Sequence, residues 1–501
     1  MSDVKIIKKD ETHIILSGEE SVLYEIRDLF TFYAEGYKFH PKYKAKLWDG
    51  KIMLLRLSSK NRGEIYHGLL HDIITFCENR GYSYELDKSL LEINKLSTEE
   101  IKKFLEYIKP SFKGEIIDPR DYQIKGFVDS ICNKRNLNLS VTSSGKSFII
   151  YMIIRYLNKK GLKGLIITPN VSLVHQLYSD FEEYSKLNGW VADENIHKIY
   201  SGQDKISKKQ IYQSTWQSLQ NIKEKLWFEQ FDYVIVDEAH GCKATQLTSI
   251  LEKCINASYR LGFTGTIDEV KANINTLKGL FGSINKLNTT KELIDKGQIS
   301  NFNIKCLVLK YDEETAKAVK KFKYQEEIKY LISNPKRNNF IKNLALSLDN
   351  NTIILFNFVE THGKVIYELL LNSKHRKGRN IYFIHGGVAG EEREQIRQIM
   401  ETEKNAIIVG SSSIMSTGIS IKNLHNIIFA ISGKSRIRNL QSIGRVLRLH
   451  KEKEIATLYD IADNLSTGKH KNYTLLHFLE RVKTYNKEQF EYKLINVDFK
   501  Q

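Results

Sequence analysis

Six consecutive residues, Thr142-Ser143-Ser144-Gly145-Lys146-Ser147, combine small side chains, one cation and a terminal hydroxyl. A turn of small residues lets backbone N–H groups wrap a polyphosphate, and a helix starting there offers its positive end to the same anion. Lys146 has the reach for β- and γ-phosphates, and the Ser147 hydroxyl is a ligand type for Mg²⁺. The pattern is incomplete, because Ser140 stands where a first glycine is usual and Ser143 where a second is common. Serine resists φ > 0 more than glycine does. Further on, Tyr233-Val-Ile-Val-Asp237-Glu238-Ala239-His240 ends an apolar run in two acids. Asp237 can hold Mg²⁺, and Glu238 can orient and deprotonate an attacking water. A third group is Gln441-Ser-Ile-Gly444-Arg445-Val-Leu-Arg448. Its two arginines share one helical face, and planar guanidinium groups suit a γ-phosphate gaining charge. Spacing alone leaves them open as solvated surface arginines.

Such chemistry needs rigid supports. Short apolar runs recur from residue 164 onward: 164–168, 233–236, 352–356, 381–384, 406–409, 427–430 and 455–459. Helix-length segments separate them, which predicts parallel sheets covered on both faces. The series breaks around 291–303, giving two lobes, 119–298 and 299–501. Ahead of them, residues 4–16 read as one or two strands. Val22, Ile26, Leu29 and Phe30 recur at helical spacing, and Leu70, Ile73, Ile74 and Cys77 mark a second helix that Gly81 stops. This predicts a small α/β domain over 1–95. A linker over 96–118 contains a charged helix from Thr98 to Tyr107.

The chain has 501 residues, 41% hydrophobic and 27% charged. No apolar run approaches the ~20 residues that span a bilayer. The first residues lack a signal-peptide core, so a cytoplasmic protein is expected, with no membrane partner. The five cysteines are widely spaced and form no CxxC pair, which predicts free thiols in a reducing compartment. The net charge of +17 is concentrated late in the chain. Residues 1–118 are near neutral, with 19 basic and 20 acidic side chains, whereas 301–501 carry 33 against 21. Excess basic charge points to a polyanionic partner; a solvated basic surface is the other reading of charge alone.

Within the N-terminal domain the charge is uneven. Between Lys38 and Arg62 eight basic residues face one acid, Asp49. Lys42, Lys44 and Lys46 interleave with Tyr37, Phe39, Tyr43 and Trp48. Cations for phosphates and rings for bases make a nucleic-acid surface; rings anchoring a basic loop to its own core are the alternative.

Taken together, the phosphate loop, Asp-Glu-Ala-His and Gln-x-x-Gly-Arg-x-x-Arg resemble superfamily 2 helicases of the DEAH-box type. Arg120-Asp-Tyr122-Gln123 resembles the family's adenine-reading element. Thr168-Pro169 through Gln176, and Thr215-Trp216-Gln217, resemble two strand-contacting elements. Phe263-Thr264-Gly265-Thr266 resembles the element coupling hydrolysis to movement. Ser416-Thr417-Gly418-Ile419-Ser420 resembles a second-lobe element touching both backbone and nucleotide, although many members have aspartate where Ser420 stands. More narrowly, Ser-Thr-Gly-Ile-Ser-Ile-Lys-Asn-Leu-His, Tyr324-Gln-Glu-Glu-Ile-Lys and Gly36-Tyr-Lys-Phe39 with Trp48-Asp-Gly50 resemble the UvsW-type DNA helicases of bacteriophages. The resemblance implies an α/β chain of two tandem RecA-like parallel-sheet lobes behind a small α/β domain. It implies ATP and Mg²⁺ as cofactors, Arg445 and Arg448 closing on the nucleotide, and Gln441 and Gly418 near it. The implied partners are branched or single-stranded DNA and RNA–DNA hybrids, remodelled by a monomeric motor in recombination, repair and replication. Three readings stay open beside it: an RNA helicase, a restriction-system motor, and a DNA-binding or annealing factor whose ATPase is vestigial because of Ser143.

Overall fold

The computed structural model describes residues 2–92, 94–200, 204–243, 245–268, 270–413, 421–430, 443–444 and 455–499. The chain divides into two units: Met1–Ser140 with Gly145–Asn288, and Thr289–Gln501 with Val141–Ser144.

The first unit begins with a five-stranded sheet. Its strands follow the order Arg56–Ser59, Arg62–Tyr66, His13–Gly18, Val4–Lys8, Tyr84–Leu86, with only the last pair parallel. Strand alternation buries Val4, Ile6, Ile14 and Leu16 on one face. Helices Glu20–Leu29 and Leu70–Arg80 contribute Val22, Leu23, Ile26, Ile73 and Cys77. Gly81 ends the second helix at φ 74°, the left-handed turn that glycine adopts freely. The residues from Lys51 to Ser59 divide between two sheets. Lys51–Met53 pairs with Thr31–Tyr33 in a separate two-stranded ribbon, and Arg56–Ser59 joins the main sheet. Between the ribbon strands lie only a 3₁₀ turn, Tyr37–Phe39, and a short helix, Pro41–Lys44.

A seven-stranded, wholly parallel sheet fills the rest of this unit. Its order is Ile196–Ile199, Ile211–Thr215, Gly164–Thr168, Tyr233–Asp237, Tyr259–Thr264, Arg135–Leu139, Ser283–Lys286. Two of these strands are evident as apolar runs; Arg135–Leu139 (Arg-Asn-Leu-Asn-Leu) hides because alternate residues are polar and contact neighbouring elements. Asn138, fully buried, donates to Ser130 Oγ at 3.0 Å and accepts from Asn285 at 3.2 Å.

The N-terminal sheet does not stand apart from this lobe. One continuous apolar core runs from Val4, Leu16, Leu69 and Ile73 to Leu137, Leu165, Val234 and Phe281. Polar contacts stitch its margin: Tyr66 donates to Glu252 at 2.6 Å, Lys278 pairs with Asp72 at 2.6 Å, and Arg135 pairs with Glu11 at 2.5 Å. At Gly68 the approach is so close that a Cβ would lie 2.1 Å from the Lys278 carbonyl oxygen.

The second unit carries its own seven-stranded parallel sheet, ordered Ile381–Ile384, Ile407–Ser411, Thr352–Phe356, Asn426–Phe429, Ile455–Asn464, Asn301–Tyr311, Tyr492–Phe499. Two tandem parallel-sheet lobes are thus present, as the spacing of the apolar runs predicts, in the RecA-like arrangement that the family resemblance implies. Two buried ion pairs lock the second, Arg337 with Asp463 at 2.8 Å and Arg481 with Asp460 at 2.7 Å. Tyr311 and Tyr485 donate to the same carboxylates. In Tyr324-Gln-Glu-Glu, buried Glu327 accepts from the Tyr473 and Thr474 N–H groups at 2.9 and 2.8 Å, capping helix Tyr473–Lys487. Among the described residues all five cysteines are free, and no helix is long and apolar enough to cross a membrane.

Candidate active site

Parallel strands put their carboxyl ends on one edge, and open α/β sheets bind ligands there. Register in the first unit sets Leu139 beside Thr264, Asp237 beside Phe263 and Thr168 beside Thr215. Every candidate group of this lobe except Arg120-Asp-Tyr122-Gln123 and Gln176 therefore emerges at that edge or in the turn that follows it.

The phosphate loop leaves strand Arg135–Leu139 and enters helix Lys146–Lys159. That helix is apolar on nearly all sides, with Phe148 to Ile154 and Leu157 buried, so the core anchors the loop. Ser140 is buried, and its N–H donates to the Thr264 carbonyl at 3.0 Å. Ser143 takes φ 73° and Gly145 φ 83°. Serine thus adopts the left-handed turn that a glycine would supply, at a cost of roughly 1–2 kcal/mol. Thr142, Ser143 and Ser144 form the turn, with Ser144 N–H donating to the Val141 carbonyl at 3.1 Å. Lys146 Nζ rests on the Ser140 carbonyl at 3.3 Å, and Ser147 Oγ lies 3.0 Å from the Tyr184 hydroxyl.

The adenine-reading candidates pack directly on this loop. A Cβ on Gly145 would lie 2.6 Å from Gln123 Nε2 and displace the end of that side chain, and φ 83° is the conformation that favours glycine there. Gln123 and Tyr122 are buried at the start of helix Asp121–Asn133. Gln123 Oε1 accepts from Arg120 N–H at 2.9 Å, and Arg120 Nη1 donates to the Tyr122 hydroxyl at 3.0 Å.

Asp237 ends its strand between a cation and an acid. Burial, with Glu238 beside it, raises its carboxyl to about 6 against the opposing charge of Lys146. Glu238 turns left-handed at φ 54°, its N–H donating to Asp237 Oδ1 at 2.9 Å. A non-glycine residue in this region stores strain of order 1–3 kcal/mol, which is commonest at functional sites. Glu238 Oε2 lies 3.3 Å from His240 Nδ1, and that nitrogen lies 3.0 Å from Thr264 Oγ1. Thr264 Oγ1 in turn donates to the Thr266 carbonyl at 2.9 Å. A short polar path thus joins the acids, the Phe263-Thr264-Gly265-Thr266 element and, through the Thr264 carbonyl, the foot of the phosphate loop. The motif spacing revealed neither His240 as the link nor Tyr184 as the partner of Ser147.

The strand-contacting candidates also meet at the edge. Gln217 Nε2 donates to the Pro169 carbonyl at 3.1 Å, joining the two elements. Thr168 and Thr215 are buried; Thr168 turns its hydroxyl to backbone carbonyls, and Thr215 caps helix Trp216–Leu219. Trp216 packs against the core, while Gln176 and Gln217 are exposed. Thr417, Gly418, Gln441, Arg445 and Arg448 lie outside the described residues.

In the N-terminal ribbon Lys42, Lys44 and Lys46 are exposed. Tyr33 and Tyr37 stack with centroids 4.5 Å apart, Tyr43 meets Tyr37 edge-on at 4.9 Å, and His40 meets Trp48 at 5.2 Å. Trp48 is half-buried and donates to the Lys51 carbonyl at 2.8 Å. These rings cluster with one another, whereas Phe39 and Leu47 are 79% exposed.

Three family models match the chain: DNA helicase UvsW, N-terminal, at residues 3–87; type III restriction enzyme, res subunit, at 95–269; and helicase conserved C-terminal domain at 335–450. The chain is 35% identical over 516 residues to the ATP-dependent DNA helicase uvsW of Enterobacteria phage T4, covering 99% of this chain and 100% of that protein. The crystal structure of T4 UvsW is similar with a TM-score of 0.53 at 32% identity, covering 99% of this chain and 100% of that one. The ATP-dependent type ISP restriction-modification enzyme LlaBIII bound to DNA shares the fold at 14% identity and a TM-score of 0.55, covering 76% of this chain and 32% of that one.

Proposed function

This chain belongs to the UvsW family of ATP-dependent DNA helicases, and on that premise we propose that it remodels branched DNA and RNA–DNA hybrids, migrating junctions and unwinding forks and R-loops. The observation that carries the substrate reading is the N-terminal ribbon. Its exposed Lys42, Lys44 and Lys46 and its exposed Phe39 sit on a ring cluster outside the domain core. Phosphates and unpaired bases are what such a surface contacts.

Lys146 would meet the β- and γ-phosphates, Tyr122 and Gln123 the adenine, and Glu238 the attacking water, with His240 holding the Glu238 carboxylate. Asp237 and Ser147 fit Mg²⁺. Both are oxygen donors, and a partly buried carboxylate raised to about 6 gains most from a nearby dication. When bound, Mg²⁺ would neutralise charge building on the phosphates. Arg445, Arg448, Gln441 and Gly418 are assigned to nucleotide contact by the family motifs. Thr417 and the Thr168-to-Gln176 and Thr215-to-Gln217 elements are assigned to the strand, with the exposed Gln176 and Gln217 supplying side chains. Ser143 favours a working site over a vestigial one, because the loop keeps its left-handed turn without the glycine.

We infer action as a monomer in the host cytoplasm. The test is ATPase stimulation and unwinding across single strands, duplex, forks, four-way junctions, R-loops and RNA duplex. Preference for junctions and R-loops supports the reading; equal activity on plain duplex and no R-loop release refutes it.

A further inference from the structure

Strands Asn301–Tyr311 and Ile455–Asn464 lie side by side in the second unit and end level, with Lys310 beside Asn464. The chain leaving each strand carries lysines ahead of a tyrosine that opens a helix: Lys320-Lys321-Phe322-Lys323-Tyr324 and Lys469-His470-Lys471-Asn472-Tyr473. Two buried side chains bring these segments together. Asn472 accepts from Leu465 N–H at 3.0 Å and donates to the Asp463 carbonyl at 3.1 Å, which holds the second helix start at the strand end. Glu327, in the first turn of the other helix, accepts from the Tyr473 and Thr474 N–H groups and from Asn472 Nδ2. Tyr324 consequently meets Tyr473 edge-on with centroids 6.0 Å apart, and meets His477 at 5.3 Å.

These contacts do not bury the rings. Tyr324, Tyr473 and Leu476 stay 37%, 42% and 43% exposed. Lys320, Lys321, Lys323, Lys469 and Lys471 all face solvent, and none has an ionic partner among the described residues. Of the nearby acids, Glu313 pairs with Lys317 at 2.8 Å, and Asp312 and Glu326 accept backbone N–H groups at 2.8 and 2.6 Å. With the exposed Glu314 counted, the lysines still prevail. Joining the two helices accounts for the ring contacts but not for the exposure or the lysines. Exposed rings among unpaired cations complement a chain of phosphates that carries unstacked bases. The place agrees, because ligands bind at the carboxyl edge of open parallel sheets. Ser411 ends its strand at that same edge, shortly before the Thr417 element in sequence.

We propose that Tyr324 and Tyr473, with these lysines, form a binding surface for single-stranded DNA on the second lobe. Bases stack on the rings and the lysines meet phosphates. The inference rests on the remodelling activity proposed above, which supplies an unpaired strand for the surface to hold.

The test measures binding of the full chain to oligo-dT and to an abasic strand of equal length, by fluorescence anisotropy across a salt series without nucleotide. Tyr473→Leu keeps an apolar contact with Tyr324 and removes the ring. It should weaken oligo-dT binding at least about fivefold, the lower end for one lost stacked base, and leave the abasic strand nearly unaffected. Lys321→Gln, Lys323→Gln, Lys469→Gln and Lys471→Gln together should weaken both strands and flatten the salt dependence by roughly two to three units of slope, at ~0.7 per phosphate contact. An unchanged slope in the lysine variant overturns the proposal. So does Tyr473→Leu with unchanged oligo-dT affinity, or with equal losses on both strands, in a chain whose unfolding midpoint matches wild type. If that midpoint falls sharply, the lysine variant decides alone. The two proposals fail separately. A wild-type chain without preference for junctions or R-loops, whose variants still lose single-strand affinity as expected, loses the remodelling reading and keeps this surface. Junction preference with indifferent variants removes this surface alone.

Discussion

Asp237→Asn should stabilise the nucleotide-free protein while abolishing its ATPase. The Asp237 carboxyl is raised from 3.8 to about 6, first by burial and then by Glu238. Below pH 3.8 the group is protonated in both folded and unfolded chains, and the shift has no effect on stability. Above pH 6 it is charged in both, and the folded chain bears the cost. Wild-type stability therefore falls as pH rises from 3.8 through 6, by 1.36 kcal/mol per unit, or about 3 kcal/mol in full. The side chain is partly open to solvent, and screening reduces this to about 1–2 kcal/mol. Asparagine escapes the cost and keeps the Oδ1 that accepts from Glu238 N–H.

The assay is urea unfolding without nucleotide or Mg²⁺, followed by tryptophan fluorescence. All four tryptophans, Trp48, Trp190, Trp216 and Trp227, lie in the first unit, so the signal reports the unit that holds Asp237. At a slope of about 3 kcal/mol/M the midpoint should rise by roughly 0.3–0.7 M at pH 7.5. The gain should shrink as pH falls from 6 towards 4. A variant less stable than wild type at pH 7.5, or a difference that does not vary with pH, would refute the reasoning.

Four further outcomes are expected. Lys146→Ala and Glu238→Gln should each lower ATP turnover at least ~10²-fold, Glu238→Gln with nucleotide binding kept, as read by steady-state ATPase and nucleotide titration. Arg445→Ala and Arg448→Ala should leave nucleotide affinity nearly unchanged and depress turnover, because a contact made only in the transition state appears in kcat; lost affinity with normal turnover contradicts this. Thr264→Val removes the hydroxyl beside His240 and should lower base pairs unwound per ATP more than ATP affinity, measured by paired unwinding and phosphate-release assays. Neutralising Lys42, Lys44 and Lys46 together should weaken junction binding and flatten its salt dependence by about two to three units of slope, at ~0.7–0.9 per phosphate contact, with DNA-free ATPase intact.

The candidate ATPase groups stand out in the sequence because the proposed chemistry calls for particular residue types: a lysine after small residues, and acids at a strand end. The strands carrying them were legible only where both faces are apolar, as in Tyr233-Val-Ile-Val. Arg135–Leu139 escaped notice because Asn136 and Asn138 break its apolar run, although Asn138 is fully buried through side-chain partners distant in sequence. The His240–Thr264 link joins two motifs that adjacent strands bring together, and nothing in either motif announces it. Glu327 shows the converse. Tyr324-Gln-Glu-Glu-Ile-Lys carried a family likeness, and the structure gives its glutamate a capping role.

Sequence was least informative about how the N-terminal domain joins the engine. A boundary near residue 95 invites the expectation that the domain can be removed. The shared core argues otherwise: cutting there would strip Leu69 and Ile73 from Leu137 and Phe281 and leave Lys278, Arg135 and Glu252 without their partners Asp72, Glu11 and Tyr66. Each buried large apolar side chain newly exposed costs about 1.5–3 kcal/mol, so a few such losses are comparable with a domain's whole stability. A truncated chain that failed to discriminate forks would report lost folding as readily as lost recognition. Although Phe32 of the ribbon from Thr31 to Met53 packs against that core, Tyr33, Tyr37 and Tyr43 pack on one another and Lys42, Lys44 and Lys46 face solvent. Trp48, half-buried, meets His40 edge-on and donates to the Lys51 carbonyl within the same segment. Substitution on this surface can therefore separate recognition from folding, which removal of the domain cannot.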